Sequence, residues 1–260
     1  MIVNRRDVDF YLDEMFDLGS LLVGDRYNEH DRESITAILD LCQNMAEEEF
    51  LPCAAEHDEN EPVFRDGQAI TPDSLKACLK TFVEAGLPTA TFDHELGGMQ
   101  LPAMVVNFMQ GIFQAANAPA IGYVFLTASN AHMLQACGSE ALRERYLPPL
   151  VEGRWFGTMC LSEPHAGSSL SDIRCVAEPV GDGSYKLTGT KMWISGGEHD
   201  ISENIVHMVL ARTPDAPPGV KGISLFLVPK IRVEEDGSLG ESNNIALAGL
   251  NHKMGQRGTT

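Results

Sequence analysis

Apolar side chains recur every three or four residues through most of the first 150 positions, and after that they collect in short runs without helical spacing. The stretch from Asp31 to Phe50 predicts an amphipathic helix. Ile35, Ile38, Leu39, Cys42, Met45, Ala46 and Phe50 share one face, and Asp31 is placed to cap it. From Thr71 to Gly86 the pattern predicts another: Thr71 caps, Pro72 takes the first helical position, Leu75, Leu79, Phe82 and Val83 form the stripe, and Gly86 ends it. Residues 102–116 and 119–136 predict two helices with broad apolar faces, and a short one begins at Ser139 and stops before Pro148. Near the start, Phe10, Leu12, Phe16, Leu18, Leu21 and Leu22 predict a helix packed on another element.

The texture changes at Trp155. The runs WFGTMCL, SYKLTGTKMWIS, NIVHMVLAR and KGISLFLVPK are rich in Val, Ile, Leu, Thr and aromatics and are separated by Gly, Pro, Asp and Asn, which predicts strands. Asp182-Gly183 favours a tight hairpin turn, and TPDAPPGVKG makes a proline-rich loop. The pattern predicts an α+β chain: an N-terminal all-α helical domain over residues 1–152, then a β-sheet domain over residues 153–260. Four or five clear strands are few for a sheet that has to close or be covered, so the chain is expected to continue past Thr260.

With 260 residues and 43% apolar content the chain can bury a substantial core. Lys plus Arg number 19 against 37 Asp plus Glu, a formal charge of -18 that opposes long-range attraction to phosphate backbones or anionic lipid. No nucleic-acid partner is expected. An anionic ligand would need locally placed donors or helix N-termini. Cys42, Cys53, Cys78, Cys137, Cys160 and Cys175 contain no CxxC pair and are expected to be reduced. The opening MIVNRRDVDFYLDEMF lacks the apolar run of a signal peptide, and no stretch of about 18 apolar residues appears, so no membrane insertion and a cytoplasmic location are expected.

Candidate chemistry is sparse. His199 and His207 have no further ligands at zinc-finger or metalloprotease spacing, so no metal is assigned. The AEEEF run reads as a solvated helix face, Gly97-Gly98 as a turn and Asp25-Arg26 as a surface pair. Taken alone, Trp193 reads as a core aromatic on a strand, and Ser168 and Ser195 as loop hydroxyls. Two segments alter that reading: LSEPHAGS, from Leu161 to Ser168, and KMWIS, from Lys191 to Ser195. With FDHELGGMQLP before them and HKMGQRGT after, they resemble the acyl-CoA dehydrogenase family over nearly the whole chain. In that family a T/S-E-P-x-A-G-S loop and a K-x-W/F-I-S/T strand receive the flavin of FAD. The segment from Gly197 to Lys230 is closest in texture to the branch of 3-methylmercaptopropionyl-CoA dehydrogenases.

The resemblance implies that the β-sheet domain is the family's barrel-like middle domain, and it implies FAD as cofactor, with the backbone around Met159, Leu161 and Ser162 along the pyrimidine edge of the flavin. Trp193 and Ile194 would lie against the ring system, and the Ser195 hydroxyl would reach toward the hydride-accepting nitrogen. Gly167 and Ser168 would lie near the pyrophosphate, with Ser168 also near the thiol arm of the acyl-CoA substrate. A flat redox ring needs such backbone donors, an apolar plate and a hydrogen-bond partner near its reactive nitrogen. The implied reaction is α,β-dehydrogenation of an acyl-CoA to the trans-2-enoyl-CoA, with electrons passed to an electron-transferring flavoprotein, in a homodimer or tetramer. The family's base is a glutamate of a C-terminal helical domain, expected beyond residue 260. No catalytic residue is assigned within the chain, and Glu163 is read as a structural loop position. Ser169 stands where an aspartate often follows the GS pair, with Asp172 close enough to replace it as a cap. Two alternatives stay open: a non-catalytic fragment acting as a flavin-binding or interaction module, and an acyl-CoA oxidase.

Overall fold

The computed structural model describes residues 2–260, and its elements follow the switch in hydrophobic period. First come α1 (Arg5–Asp9), a wide helical turn to Met15, α2 (Leu18–Leu22), α3 (Arg32–Met45) and α4 (Ala54–Glu59). A hairpin of β1 (Val63–Arg65) and β2 (Gln68–Ile70) precedes α5 (Asp73–Glu84), α6 (Ala103–Cys137) and α7 (Glu140–Val151). The predicted α3 face is inside, and its start is a capping box: Asp31 accepts from the Ser34 N–H, and Ser34 Oγ accepts from the Asp31 N–H. Leu12, Leu18 and Leu22 join this core, while Phe10 and Phe16 stay outside. At its centre Phe113 meets Phe50 and Phe82 edge to face, at 4.9 and 4.8 Å between ring centroids.

Several local expectations change. Thr71 does not cap α5: its hydroxyl and N–H both donate to Asp200 Oδ1, at 2.7 and 3.1 Å, and Lys76 reaches the other oxygen at 2.8 Å. The helix start is thereby tied to the β half. Arg26 turns from Asp25 to Asp93, at 2.6 Å. The predicted α7 end at Pro148 is wrong, because the helix runs through Pro148 and Pro149 to Val151. Tyr146, Leu147, Leu150 and Val151 are buried against Trp155 and Val206, and that burial outweighs the missing backbone N–H groups. The β1–β2 hairpin, unread in the sequence, turns on Asp66 and Gly67, both at positive φ, the conformation that an Asp-Gly pair tolerates.

The two helices expected on either side of residue 117 are α6 with a break at Asn117 (φ −158°, ψ 81°). Asn117 Oδ1 accepts from the Ala120 N–H and so caps the second half, where Pro119 has no N–H to satisfy. Its Nδ2 donates to the Phe50 carbonyl and to His57 Nδ1, at 3.1 and 2.8 Å. Burial lowers the His57 pKa, so the ring is neutral and carries its proton on Nε2, facing Ser74 Oγ at 3.1 Å. Ser74 donates onward to Glu56 at 2.8 Å. Cys53, Glu56 and His57 do bring ligand atoms within 4.8 Å of one another, but this placement of protons makes the group a hydrogen-bond relay that fixes the kink.

The β half contains β3 (Trp155–Cys160), β4 (Val176–Pro179), β5 (Tyr185–Thr188), β6 (Asn204–Ala211), β7 (Ser224–Pro229), β8 (Ile231–Val233) and β9 (Leu239–Ser242). One sheet has the order β3-β6-β7, with β3 and β6 parallel, Trp155 opposite Asn204, and β6 and β7 antiparallel, His207 opposite Val228. The β4–β5 and β8–β9 hairpins each turn on an Asp-Gly-Ser triplet in which the aspartate accepts from the serine N–H. Trp155 and Met159 face the helices with Val206 and Met208, while Thr158 and His207 turn to the other side. α6 docks on this sheet through Asn130, which donates to the Thr158 and Val206 carbonyls at 3.0 Å each. Gly157 permits that approach, since a Cβ there would lie 2.4 Å from Asn130 Nδ2. The expected KMWIS strand is instead irregular: Trp193 has φ 60°, which no strand residue adopts. Among the described residues no helix is long and apolar enough to cross a membrane.

Candidate functional site

The segment after β3 folds back on itself, because Glu163 and Ala166 exchange backbone hydrogen bonds at 2.7 and 3.0 Å. The Glu163 carboxylate then turns inward. It accepts from the Arg174 and Cys175 N–H groups at 2.7 and 2.9 Å and from Lys191 Nζ at 2.9 Å. Burial alone raises the pKa of this carboxyl, but the two N–H groups and the Lys191 ammonium outweigh it and hold the group below its ordinary 4.5. An ionised carboxylate with these partners organises the loop and is not a proton acceptor for chemistry. The expected replacement cap is absent: the Asp172 carboxylate meets the Ser171 hydroxyl at 3.2 Å, and no side chain caps the turn at Leu170–Asp172. Glu163 binds the two N–H groups that follow it instead.

Lys191 also donates to the Leu161 carbonyl at 3.0 Å, and the Met192 N–H donates to the Ser162 carbonyl at 2.9 Å. These contacts bring the two motif segments together. Beyond them the chain is pinned again where the Gly196 N–H meets the Thr260 carbonyl at 3.0 Å and the Thr260 N–H meets Tyr123 Oη at 2.8 Å. Between the anchors Trp193 stands 62% exposed. A cleft of about 1760 Å³ opens beside it, walled by Trp193, Ile194 and Ser195, by His207 and Val209 of β6, and by Leu225 and Leu227 of β7. His207 Nδ1 meets Thr158 Oγ1 at 2.7 Å, whereas His207 Nε2 and Thr260 Oγ1 are buried without a hydrogen-bond partner. Burial first, then the nearby Lys230 charge, pushes the His207 pKa down to about 4, so the ring is neutral near neutral pH. Cys160, also on the wall, is pushed up to about 11 by burial and is a packed thiol rather than a nucleophile.

Of the eight residues expected at a cofactor, Trp193, Ile194 and Ser195 line the cleft. Leu161 and Ser162 lie next to them through the carbonyls bound by Lys191 and Met192. Met159 is half-buried on β3 with its side chain on the helix-side core. Gly167 and Ser168 are exposed and outside the cleft wall, and a Cβ on Gly167 would meet only Ser162 Oγ, at 3.9 Å. Sequence reasoning assigned no role to Lys191 or His207. The signal for Lys191 was a lysine directly before the apolar run Met192-Trp193-Ile194; for His207 it was a histidine in the centre of an apolar strand.

Residues 32–154 match the family model of the acyl-CoA dehydrogenase N-terminal domain, and residues 158–260 that of the acyl-CoA dehydrogenase middle domain. The chain belongs to the acyl-CoA dehydrogenase family. Acyl-CoA dehydrogenases are FAD-dependent oxidoreductases of fatty acid metabolism. A 3-methylmercaptopropionyl-CoA dehydrogenase of Ruegeria pomeroyi is 38% identical over 252 residues, which are 97% of this chain and 43% of that protein. A butyryl-CoA dehydrogenase of Syntrophomonas wolfei is 35% identical over 264 residues, covering 100% of this chain and 43% of its own length. The crystal structure of an acyl-CoA dehydrogenase complexed with FAD from Bacillus anthracis shares the fold, with a TM-score of 0.65 at 22% identity over 89% of this chain and 35% of that one. The chain thus spans less than half the length of these relatives. Both motif segments fall within the middle acyl-CoA dehydrogenase domain.

Proposed function

We propose that residues 1–152 and 153–260 are the helical and middle domains of an FAD-dependent acyl-CoA dehydrogenase that converts an acyl-CoA thioester to the trans-2-enoyl-CoA. The observation that carries the reading is the union of the two loops, Lys191 on the Leu161 carbonyl and Met192 on the Ser162 carbonyl, with Trp193 to Ser195 presented to the cleft. The residues present suit a flavin. Trp193 is a large aromatic left exposed on an anchored loop, and His207 Nε2 and Thr260 Oγ1 offer unused hydrogen-bonding capacity on the wall.

In this reading the backbone of Met159, Leu161 and Ser162 orients the pyrimidine edge, Trp193 and Ile194 cover the ring, and Ser195 hydrogen-bonds near its reactive nitrogen. Gly167 and Ser168, which lie outside the cleft wall, would hold the pyrophosphate, and Ser168 would also hold the thiol arm of the substrate. FAD, when bound, supplies the hydride acceptor for the β hydrogen. Glu163 and Glu198 are held in ion pairs with Lys191 and Lys230, so neither is assigned the α proton. Electrons then pass to an electron-transferring flavoprotein, and the protein assembles as a homodimer or tetramer. The similarity to enzymes named for acyl-CoA dehydrogenation supports the reaction class.

The test is the visible absorption of the purified protein under anaerobic conditions, before and after 3-methylmercaptopropionyl-CoA, butyryl-CoA and longer thioesters. A flavin band is the expected result, and its bleaching by one of the thioesters would identify the substrate and require a base supplied from beyond residue 260. A protein that binds no flavin sinks the reading, and rapid reoxidation of the bleached flavin by oxygen turns it toward an oxidase.

A further inference from the structure

We infer that the buried Glu163–Lys191 ion pair is the positioning device of the flavin loops, setting where Trp193 and Ser195 stand and so how tightly and in what orientation FAD is held. The inference rests on the reading of this site as an FAD site. The two loops are 28 residues apart in the chain, with the β4–β5 hairpin between them. Lys191 and Met192 supply the contacts described above between the two loops. Glu163 at the same time grips the Arg174 and Cys175 N–H groups where the chain leads into β4. One carboxylate therefore joins three segments.

The side chains of Glu163 and Lys191 are 3% and 11% exposed, so their attraction is little screened by water. Trp193 and Ser195 make no side-chain hydrogen bond of their own, and their placement follows from the anchors at Lys191–Met192 on one side and Gly196 on the other. Lys191 stands two residues before the indole, and two of its ammonium's three N–H donors go to Glu163 and the Leu161 carbonyl. Its charge is neutralised by the buried Glu163 carboxylate, and it acts as a brace between the loops.

The experiment compares the 260-residue chain with Lys191→Met, Glu163→Gln, Lys191→Arg and a remote core control, Ile35→Val. Trp155 is 1% exposed and Trp193 is 62% exposed, so iodide quenching of the FAD-free protein reads Trp193 alone. FAD affinity and the visible circular dichroism of the bound flavin are the second and third readouts. Lys191→Met and Glu163→Gln are expected to change the quenching, weaken FAD binding by about tenfold or more, and alter the flavin dichroism. Lys191→Arg is expected to restore part of each, and Ile35→Val to lower the melting temperature while moving none of them.

Folded Lys191→Met and Glu163→Gln proteins with wild-type quenching and FAD affinity would overturn the inference, as would an equal loss of FAD affinity in Ile35→Val. If Lys191→Met does not fold, Glu163→Gln carries the test, since it retains volume and an oxygen for one of the two backbone N–H groups. Failure of both to fold shows that the pair holds the domain together and also overturns it. A wild-type chain that binds no FAD defeats the functional reading instead, while the quenching comparison still decides whether the pair places Trp193.

Discussion

In the helical half, buried apolar side chains close on one another, and the polar groups that go inside, such as Asn117 and His57, fix helix ends and kinks. In the β half, short strands frame long irregular segments, and the buried polar groups include Glu163 and Lys191, which brace loops, and His207, which faces the cleft with capacity unused. The contrast teaches where to look for chemistry. A polar group with every partner satisfied inside a helix bundle is structural, whereas one left open on a cleft wall awaits a ligand.

The joint between the halves offers the sharpest way to break this comparison. Gly157→Val forces a side chain into Asn130, displaces its hydrogen bonds to two strands, and is expected to cost about 3 kcal/mol in chemical denaturation. Within the helical half, Asn117→Ala removes a cap and leaves the Phe50 carbonyl and His57 without their donor, an expected loss of about 2–3 kcal/mol with the flavin site unaffected.

Acid separates the halves more gently. The folded protein holds His207 neutral, with a pKa near 4 against an ordinary 6.5, so the unfolded chain takes up a proton that the folded one excludes. Its contribution is complete above pH 6.5 and is lost as pH falls from 6.5 to about 4. His207→Gln should therefore flatten the melting temperature against pH, by about 2 kcal/mol at pH 5 relative to wild type. Glu163 acts lower: its depressed pKa gives stability present above pH 4.5 and lost below it, and Glu163→Gln should abolish that part of the acid limb. The smallest effect is expected at Trp193→Ala, within about 0.5 kcal/mol of wild-type stability because the indole is exposed, yet with a measurable loss of FAD affinity.

The sequence made the helical half legible wherever one face carried the signal. The α3 stripe, its Asp31 cap and the break before Pro119 follow from spacing alone. Reading failed where tertiary contacts overrode local preference: Thr71 found Asp200 across 129 residues, and α7 passed two prolines because its last turn is buried. The Asp182-Gly183 hairpin of the β half was legible, but the Asp66-Gly67 hairpin of the helical half and the Asp236-Gly237 hairpin of the β half carried the same signal unread. The motif loops were visible as residues, and Trp193 was misplaced on a strand because its apolar neighbours mimic one. Its left-handed backbone is imposed by hydrogen bonds that periodicity does not encode.

The parallel pairing of β3 with β6 makes neighbours of Thr158 and His207, 49 residues apart, and both motif loops lie in the chain between them. Forming that pair closes a long loop, an entropic cost met before the loop's own contacts gain anything, so sheet formation is expected to be the slow step, with the loops settling afterwards. On that order FAD is expected to bind after the slow step. It acts on the finished protein, and stopped-flow refolding should show that it slows unfolding and leaves the folding rate unchanged.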